Sequence, residues 1–167
     1  ITGGSRGIGA ATALKLAEAG ANVAITYRKD KRAADRVVKD VELHGMSALA
    51  VQANVQSLSN CRRAVDRVMR KFGRIDILVN NAGIWEAGAI DRMKQSDWDR
   101  TIRINLYSAF NLCRLIVPIM KKQVYGKIIN VSSTAGQRGE PLYSHYAASK
   151  GGIISFTKSI AIELIEH

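Results

Sequence analysis

Three residues in the last third of the chain have the types and spacing needed to move a proton: Ser133, Tyr146 and Lys150. On a helix, Tyr146 and Lys150 would project from the same face, one turn apart. A tyrosine hydroxyl ordinarily titrates near a pKa of about 10, and a neighbouring lysine ammonium favours its ionised form. Ser133 could hydrogen-bond a substrate oxygen. The pattern therefore predicts proton transfer to an oxygen, although a helix also produces a tyrosine–lysine pair by chance.

A glycine-rich turn opens the chain, with the sequence Thr2-Gly3-Gly4-Ser5-Arg6-Gly7-Ile8-Gly9. It lies between a short strand remnant and a segment rich in alanine and leucine that predicts a helix. Glycines allow close backbone approach, and the start of a helix offers free N–H groups and a positive dipole end to phosphates. A glycine turn can be purely structural, but its place at the first strand-to-helix connection predicts pyrophosphate binding.

The end of the next predicted strand indicates which dinucleotide would bind. A free ribose 2′-hydroxyl is usually held at this position by Asp or Glu, whereas a 2′-phosphate requires Arg. Here the strand ends in Tyr27-Arg28-Lys29, and the first carboxylate is Asp30. Arg6 in the glycine turn is a second candidate for the phosphate. The sequence favours NADP(H) over NAD(H).

The hydrophobic pattern alternates between short β-branched runs and longer segments with helical period. Strands are predicted over residues 22–27, 48–55, 75–80 and 127–132. Helices are predicted over residues 8–19, from Asp30 to Gly45, from Ser57 or Ser59 to Gly73, over residues 97–122 with a kink at Pro118, and over residues 143–166. This order predicts a Rossmann-like, doubly wound parallel sheet with helices on both faces, forming one dinucleotide-binding domain over residues 1–167.

Composition excludes several classes of protein. Hydrophobic residues make up 47% of the chain and charged residues 23%, which is typical of a folded domain. No apolar run reaches membrane-spanning length, so we expect no membrane segment. The two cysteines lack metal-ligand spacing and form no disulfide framework, which predicts a cytoplasmic protein with no metal site. The net charge of +11 admits a nucleic-acid binder, but aromatic residues are only 6% and no nucleic-acid motif occurs.

Five motifs occur in a fixed order along the chain: Thr2-Gly3-x-x-x-Gly7-x-Gly9, Asn80-Asn81-Ala82-Gly83, Asn105, Ser133 within residues 132–136, and Tyr146-x-x-x-Lys150. Together they resemble the short-chain dehydrogenase/reductase family over the whole chain. The run over residues 146–152 and the basic end of the strand over residues 22–27 look most like the family's 3-oxoacyl-(acyl-carrier-protein) reductases.

The resemblance implies a role for each of four catalytic residues. Tyr146 would donate a proton to a carbonyl oxygen as hydride leaves the nicotinamide. Lys150 would favour ionisation of the tyrosine and bind the nicotinamide ribose. Ser133 would orient the carbonyl, and Asn105 would hold a water molecule in a proton relay from the lysine.

The resemblance also implies a set of cofactor contacts, with Asn54 and Val55 against the adenine and the residues after the third strand lining the cofactor. Many relatives have Asp where Asn54 stands, but an amide can still meet an adenine amino group. The full predicted cofactor-binding set is Gly3, Ser5, Arg6, Gly7, Ile8, Gly9, Tyr27, Arg28, Asn54, Val55, Asn81, Ala82, Gly83, Tyr146 and Lys150.

Relatives have most of a first strand before Thr2 and further strands and helices after His167. We therefore expect the chain to be a segment of a longer protein that lacks the C-terminal strands. The face of the long helix that includes Cys113 and Met120 packs against another subunit in the family, which implies a homo-oligomer, either a dimer or a tetramer. Lys121 and Lys122 could meet an acidic carrier protein, but paired lysines also occur as dipole partners at helix ends.

The leading hypothesis is an NADPH-dependent reductase of a carbonyl, either a small molecule or a 3-oxoacyl thioester linked to a carrier. One alternative is a sugar, polyol or steroid alcohol dehydrogenase that uses the same residues. A non-catalytic dinucleotide-binding protein is a second alternative. Such a protein would have lost some of the four catalytic residues, and all four are present here, which counts against it. The sequence does not identify the substrate.

Overall fold

The structure is a computed structural model that describes all 167 residues. Its first half alternates helices and strands as the sequence predicts. The elements are α1 (Gly7–Glu18), β1 (Val23–Tyr27), α2 (Lys31–Leu43), β2 (Ala48–Gln52) and α3 (Leu58–Phe72). The second strand ends three residues before the predicted boundary at residue 55, because residues 53–55 leave the ladder and turn towards α3.

Local capping sets the ends of α2 and α3. The Asp30 side chain accepts a hydrogen bond from the Ala33 N–H at 2.9 Å, which starts α2. The Ser57 side chain accepts one from the Asn60 N–H at 3.3 Å, so Ser57 rather than Ser59 caps α3. Gly73 ends α3 in the left-handed region with φ of 73°. These local signals were readable from the sequence.

The second half contains β3 (Ile77–Asn80), α4 (Gln95–Ile102), a π-turn (Arg103–Tyr107), α5 (Ser108–Gln123), β4 (Lys127–Asn130), α6 (Ala135–Arg138) and α7 (Ser144–Glu163). The long helix predicted over residues 97–122 is present as one unbroken helical segment, but a π-helical stretch at Arg103–Tyr107 interrupts its α-helical pattern. The irregularity lies at the π-turn, and α5 continues past Pro118 to Gln123. The short helix α6 was not predicted either.

The strands pair in parallel, β1 with β2 and β3 with β4. The first two residues of the chain lie between the two pairs. The Thr26 N–H donates to the Ile1 carbonyl and the Thr2 N–H donates to the Val79 carbonyl, each at 2.9 Å. The order across the layer is therefore β2, β1, residues 1–2, β3, β4. The chain winds outward in both directions from residues 1–2, which confirms the doubly wound parallel sheet.

Helices cover both faces of this sheet. On one face, Val23, Ile25 and Tyr27 of β1 pack with α1 and α2 in a core that also contains Ala48 of β2. On the other face of the sheet, Val51 of β2 packs against Ala64 of α3. A larger core joins α3, α5, β3 and β4 on that side. Because side chains along a strand point alternately to the two faces of the sheet, each face has its own hydrophobic core. The carboxyl ends of the strands lie at the same edge of both cores.

Candidate active site

A cavity of about 540 Å³ lies where the carboxyl ends of β1, β2 and β3 meet the glycine turn. Ligands of open α/β sheets bind at this edge, near the point where the strand order reverses. Twelve of the predicted cofactor-binding residues line it: Gly3, Ser5, Arg6, Gly7, Ile8, Tyr27, Arg28, Asn54, Val55, Asn81, Ala82 and Gly83. The structure therefore brings into one cavity residues that lie in four separate parts of the sequence.

The glycine turn has a backbone shape that other residues would not adopt easily. Gly3 and Gly7 have φ values of 62° and 56°, in the left-handed region. A Cβ on Gly9 would lie 2.6 Å from both Asn81 Nδ2 and the Gly3 carbonyl oxygen, too close for any side chain. No side chain caps the start of α1 at Arg6. The first N–H groups of α1 are thus free of side-chain partners beside the cavity.

Thr2 ties the glycine turn to the loop that follows β3. Its buried hydroxyl oxygen accepts hydrogen bonds from the N–H groups of Asn81 at 3.0 Å and Ala82 at 2.9 Å. In return, Asn81 Nδ2 donates to the Thr2 carbonyl at 2.9 Å. Thr2 is not among the predicted site residues. The sequence indicates its role in one way: Thr2 has a hydroxyl group at the buried end of a strand, where the hydroxyl needs a buried hydrogen-bond partner.

The outer rim of the cavity is basic. Arg6, Arg28 and Lys29 line it, are exposed or half-buried, and form no ion pair within the chain. The nearest carboxylate along the chain, Asp30, uses one oxygen to cap α2. A phosphate at this rim would therefore meet unpaired guanidinium groups.

The Lys150 side chain is buried beside Gly83 and, like the predicted cofactor-binding residues Gly9 and Tyr146, does not line the cavity. Its Nζ donates to the Val131 carbonyl at 2.7 Å and lies 5.8 Å from the ring centre of Tyr146. Burial lowers the pKa of the Lys150 ammonium below its ordinary value. The backbone of Gly83 passes close by, since a Cβ there would lie 3.7 Å from Lys150 Nζ and 3.3 Å from Asn105 Oδ1. Gly83 also lines the cavity, so it connects the cavity to the catalytic candidates.

The side chain of Asn105 is fixed by three protein partners. Its Oδ1 accepts from the Ile84 N–H at 2.8 Å, and its Nδ2 donates to the Ile84 carbonyl and to Ser149 Oγ, each at 3.0 Å. Ser149 Oγ in turn donates to the Tyr146 carbonyl at 2.7 Å. The π-turn that carries Asn105 is thereby tied to the turn of α7 that carries Tyr146 and Lys150. Sequence reasoning missed Ser149, whose only signal was its position between two candidates.

The loop that carries Ser133 packs against the same turn of α7. The neighbouring Ser132 hydroxyl donates to the Lys150 carbonyl at 2.9 Å. A Cβ on Gly136 would lie 2.5 Å from the Lys150 carbonyl carbon, so the backbones of this loop and α7 are in direct contact. Ser133 Oγ accepts a hydrogen bond from the Ala135 N–H at 3.2 Å and is only half-buried. Its hydroxyl proton is thus available to a ligand oxygen.

Other candidate chemistry finds no support in the arrangement. Burial raises the pKa of the Cys61 and Cys113 thiols to about 11, so neither is a ready nucleophile. His145 is 2% exposed and is part of the packed interior beside Tyr146. No three His, Cys, Asp or Glu side chains come together in a way that could hold a metal ion. None of the helices combines the length and apolar character needed to cross a membrane.

A glycine turn at the switch point of a doubly wound parallel sheet, with a cavity at the strand ends, defines a dinucleotide-binding fold of the Rossmann type. A profile of the family described as short chain dehydrogenase matches residues 1–167. The chain belongs to this family of oxidoreductases, whose members bind a nicotinamide dinucleotide.

Individual relatives agree with the family assignment. The chain is 44% identical to a 3-oxoacyl-[acyl-carrier-protein] reductase of Synechocystis over 98% of this chain and 66% of the relative. It is 44% identical to one of Thermotoga maritima, again over 98% of this chain and 66% of the relative. A crystal structure of acetoin dehydrogenase from Enterobacter cloacae superposes with a TM-score of 0.95 and 32% identity, over 100% of this chain and 67% of that one. The chain thus spans about two thirds of the length of these relatives.

Proposed function

We propose that these residues form the dinucleotide-binding and catalytic domain of an NADPH-dependent carbonyl reductase that reduces 3-oxoacyl thioesters to 3-hydroxyacyl thioesters. The observation that carries the proposal is the shared position of Gly83. Gly83 lines the cavity, and a Cβ at this position would be in contact with Lys150 Nζ and Asn105 Oδ1. A cofactor in the cavity would therefore lie next to the proton-transfer residues.

The cavity residues fit a phosphorylated dinucleotide. Gly7 leaves open space at the start of α1 for the pyrophosphate, and Gly3 and Gly9 let the glycine turn pack closely against the loop after β3. Arg6 and Arg28 would hold the 2′-phosphate, and Asn54 with Val55 would contact the adenine. Bound there, the cofactor supplies the hydride for the reduction.

The chain's own residues would handle the carbonyl oxygen. Ser133 donates its hydroxyl proton to that oxygen and so orients the substrate. Tyr146 transfers its phenolic proton to the same oxygen as negative charge develops on it. The ammonium of Lys150, held near the tyrosine ring by the Val131 carbonyl, stabilises the phenolate that remains. Asn105 keeps the π-turn against α7, and a water molecule at this residue would return the proton from the lysine side.

The choice of substrate rests on the relatives. Those named 3-oxoacyl-[acyl-carrier-protein] reductase share 42–44% of residues with this chain. Lys121 and Lys122 are exposed at the end of α5 and would attract an acidic carrier protein. A small carbonyl compound is the second candidate, because the acetoin dehydrogenase superposes closely on the same fold. A sugar, polyol or steroid alcohol would use the same catalytic residues.

The same proposal covers assembly and location. The face of α5 that includes Cys113 and Met120 is buried in this chain's own core, so it cannot make the expected subunit contact. Tyr107 and Phe110, in contrast, are 53% and 43% exposed on the helical segment that includes the π-turn and α5. Burying such aromatic side chains against a second copy would stabilise a homodimer or homotetramer. We place the protein in the cytoplasm, where NADPH and acyl thioesters would be available to it. Light scattering of the full chain tests the assembly, and a monomeric mass would refute it.

The decisive test is NADPH consumption by the full chain with an acetoacetyl thioester. Tyr146→Phe removes only the proton that the mechanism needs, so turnover should fall by a factor of about 10² or more. NADPH binding, followed by fluorescence, should stay nearly unchanged. Tyr125→Phe, at an exposed tyrosine before β4, is the matched control and should keep full activity. A Tyr146→Phe variant that retains most of its turnover would refute the mechanism.

The cofactor choice has its own test. Arg28→Ala should weaken NADPH binding about tenfold, because one charge-assisted contact to the 2′-phosphate is lost. NADH binding should hardly change, since NADH has no phosphate at that position. Equal affinity of the unmodified chain for both cofactors would refute the NADP preference, as would an unchanged NADPH affinity in the variant.

A further inference from the structure

An aromatic stack stands beside the proposed catalytic residues. The rings of Trp85 and Tyr143 are nearly parallel, 5° apart, with their centres 4.7 Å apart. Trp85 follows Gly83 by two residues, and Tyr143 precedes Tyr146 by one helical turn. The stack therefore joins the loop after β3 to the segment that leads into α7, at the edge of the proposed substrate site. The mechanism above uses neither ring.

A backbone contact reinforces this junction. The Gly88 N–H donates to the Leu142 carbonyl at 2.7 Å. Leu142 has a φ of 66°, a left-handed conformation that a branched side chain adopts only under strain. This conformation leaves the Leu142 side chain 58% exposed next to the stack. The hydrogen bond and the ring stack thus hold the two loops together, and Leu142 and Trp85 are both exposed at this junction.

The side chains exposed at this junction are apolar. Trp85 is 58% exposed although Tyr143 covers one face of its indole, so the other face is open. The nearest charged neighbours along the loop, Glu86 and its partner Arg100, neutralise each other in an ion pair. Exposed apolar surface next to a catalytic cluster indicates a ligand contact, and the indole and leucine side chains favour an apolar group.

We propose that Trp85, supported by Tyr143 and flanked by Leu142, binds the apolar acyl chain of the substrate beyond the reacting carbonyl. This inference rests on the proposed function, because it assigns a chain-length preference to that reaction. Trp85 is then a specificity residue, since the contact adds affinity only for acyl chains long enough to reach the indole. Short substrates end before it.

The test compares an acetoacetyl with a 3-oxodecanoyl thioester, each with NADPH and the full chain. Trp85→Ala should lower kcat/KM for the long substrate about tenfold, mainly through KM, as expected for losing contact with one or two methylene groups. The value for acetoacetyl should stay within about twofold, because that chain makes no such contact. Trp85→Phe keeps a flat apolar ring and should restore most of the loss. Tyr125→Ala removes an exposed aromatic ring at the opposite edge of the sheet and should leave the ratio unchanged.

The outcomes separate the inference from the function on which it rests. Turnover of both substrates with a long-to-short ratio that Trp85→Ala leaves unchanged overturns the inference alone. An equal loss for both chain lengths also overturns it, since Trp85 would then act only by holding the start of α7. No turnover of either thioester by the unmodified chain overturns the proposed function, and the inference with it.

Discussion

The glycine-turn half and the catalytic half of this domain are built in different ways. In the glycine-turn half, the shape follows from local features: left-handed glycines, a helix that begins at Gly7, and the caps Asp30 and Ser57 directly before α2 and α3. In the catalytic half, the side chain of Asn105 is held by Ile84 and Ser149, which lie 21 and 44 residues away. A binding surface made largely of backbone needs glycine. A proton-transfer site needs side chains placed by distant partners.

The two halves meet at a few long-range hydrogen bonds. Thr2 and Asn81 join the glycine turn to the loop after β3, and that loop continues through Gly83 to the contacts of Ile84 with Asn105. A disturbance of the glycine turn should therefore affect cofactor binding first. A disturbance near Ser149 should affect the chemical step first. The following variants test this division.

The largest effect is expected from Gly9→Ala. The new Cβ would lie 2.6 Å from Asn81 Nδ2 and from the Gly3 carbonyl oxygen, so the glycine turn or the loop after β3 must move. Overpacking of this kind costs about 1–3 kcal/mol, which corresponds to a roughly tenfold to hundredfold loss of NADPH affinity if the bound conformation carries the cost. Isothermal titration calorimetry with NADPH measures it.

Gly88→Ala is the matched control for that variant. Its Cβ would lie 3.4 Å from the flexible end of Met93, which is ordinary contact, and Gly88 has no left-handed backbone. NADPH affinity should be unchanged in the control. If Gly9→Ala binds NADPH as tightly as the unmodified chain, the close approach at the glycine turn has no part in binding.

The difference between the halves also explains what the sequence could predict. The order of strands and helices, the caps at Asp30 and Ser57, and the doubly wound parallel sheet are confirmed, because periodicity, capping residues and glycines act over a few residues. Twelve predicted cofactor-binding residues share one cavity because they all follow strands whose ends must meet. Their role in binding remains a prediction.

The failures concern features set by distant contacts. A continuous helix fits the residue pattern around Asn105, and nothing local marks the π-turn. The π-turn accommodates one more residue than an α-helical turn and contains Asn105, which bonds to Ile84 and Ser149. Only the folded chain brings these three residues together. Thr2 was missed for the same reason, since its hydroxyl bonds to residues 79 and 80 positions away. Ser149 has a local partner in the Tyr146 carbonyl, but its bond to Asn105 spans 44 residues.

A smaller effect is expected from Ser149→Ala, which tests the catalytic half. The change removes the acceptor for Asn105 Nδ2 and the donor to the Tyr146 carbonyl, but Asn105 keeps both bonds to Ile84. The two lost hydrogen bonds are worth about 1 kcal/mol each, so kcat should fall about tenfold if roughly 1.4 kcal/mol of that loss affects the placement of Tyr146. NADPH affinity should not change.

Ser155→Ala, at an exposed serine on α7, is the control for this variant and should keep the full kcat. The pH–rate profile of Ser149→Ala separates positioning from a merely structural role, because a misplaced Tyr146 and Lys150 would shift its limbs. A variant with unchanged kcat and an unchanged profile would show that the link between the π-turn and α7 does not support catalysis.

The smallest effect concerns stability, and it isolates Lys150. Burial lowers the pKa of its ammonium below the ordinary value of 10.5, so the unfolded chain holds this proton more tightly than the folded one. Below the folded-state pKa both states are protonated and the burial cost is fully present. As pH rises from that pKa towards 10.5, the folded lysine loses its charge first and the cost disappears.

Relative to Lys150→Met, the unmodified chain should therefore gain stability across this range. Urea unfolding at intervals from about pH 8 to 10.5 measures the difference. Lys150→Met also loses the hydrogen bond to the Val131 carbonyl, which shifts the difference in unfolding free energy by a constant and leaves its dependence on pH unchanged. If this difference does not change with pH, the charged lysine has no burial cost beside Tyr146.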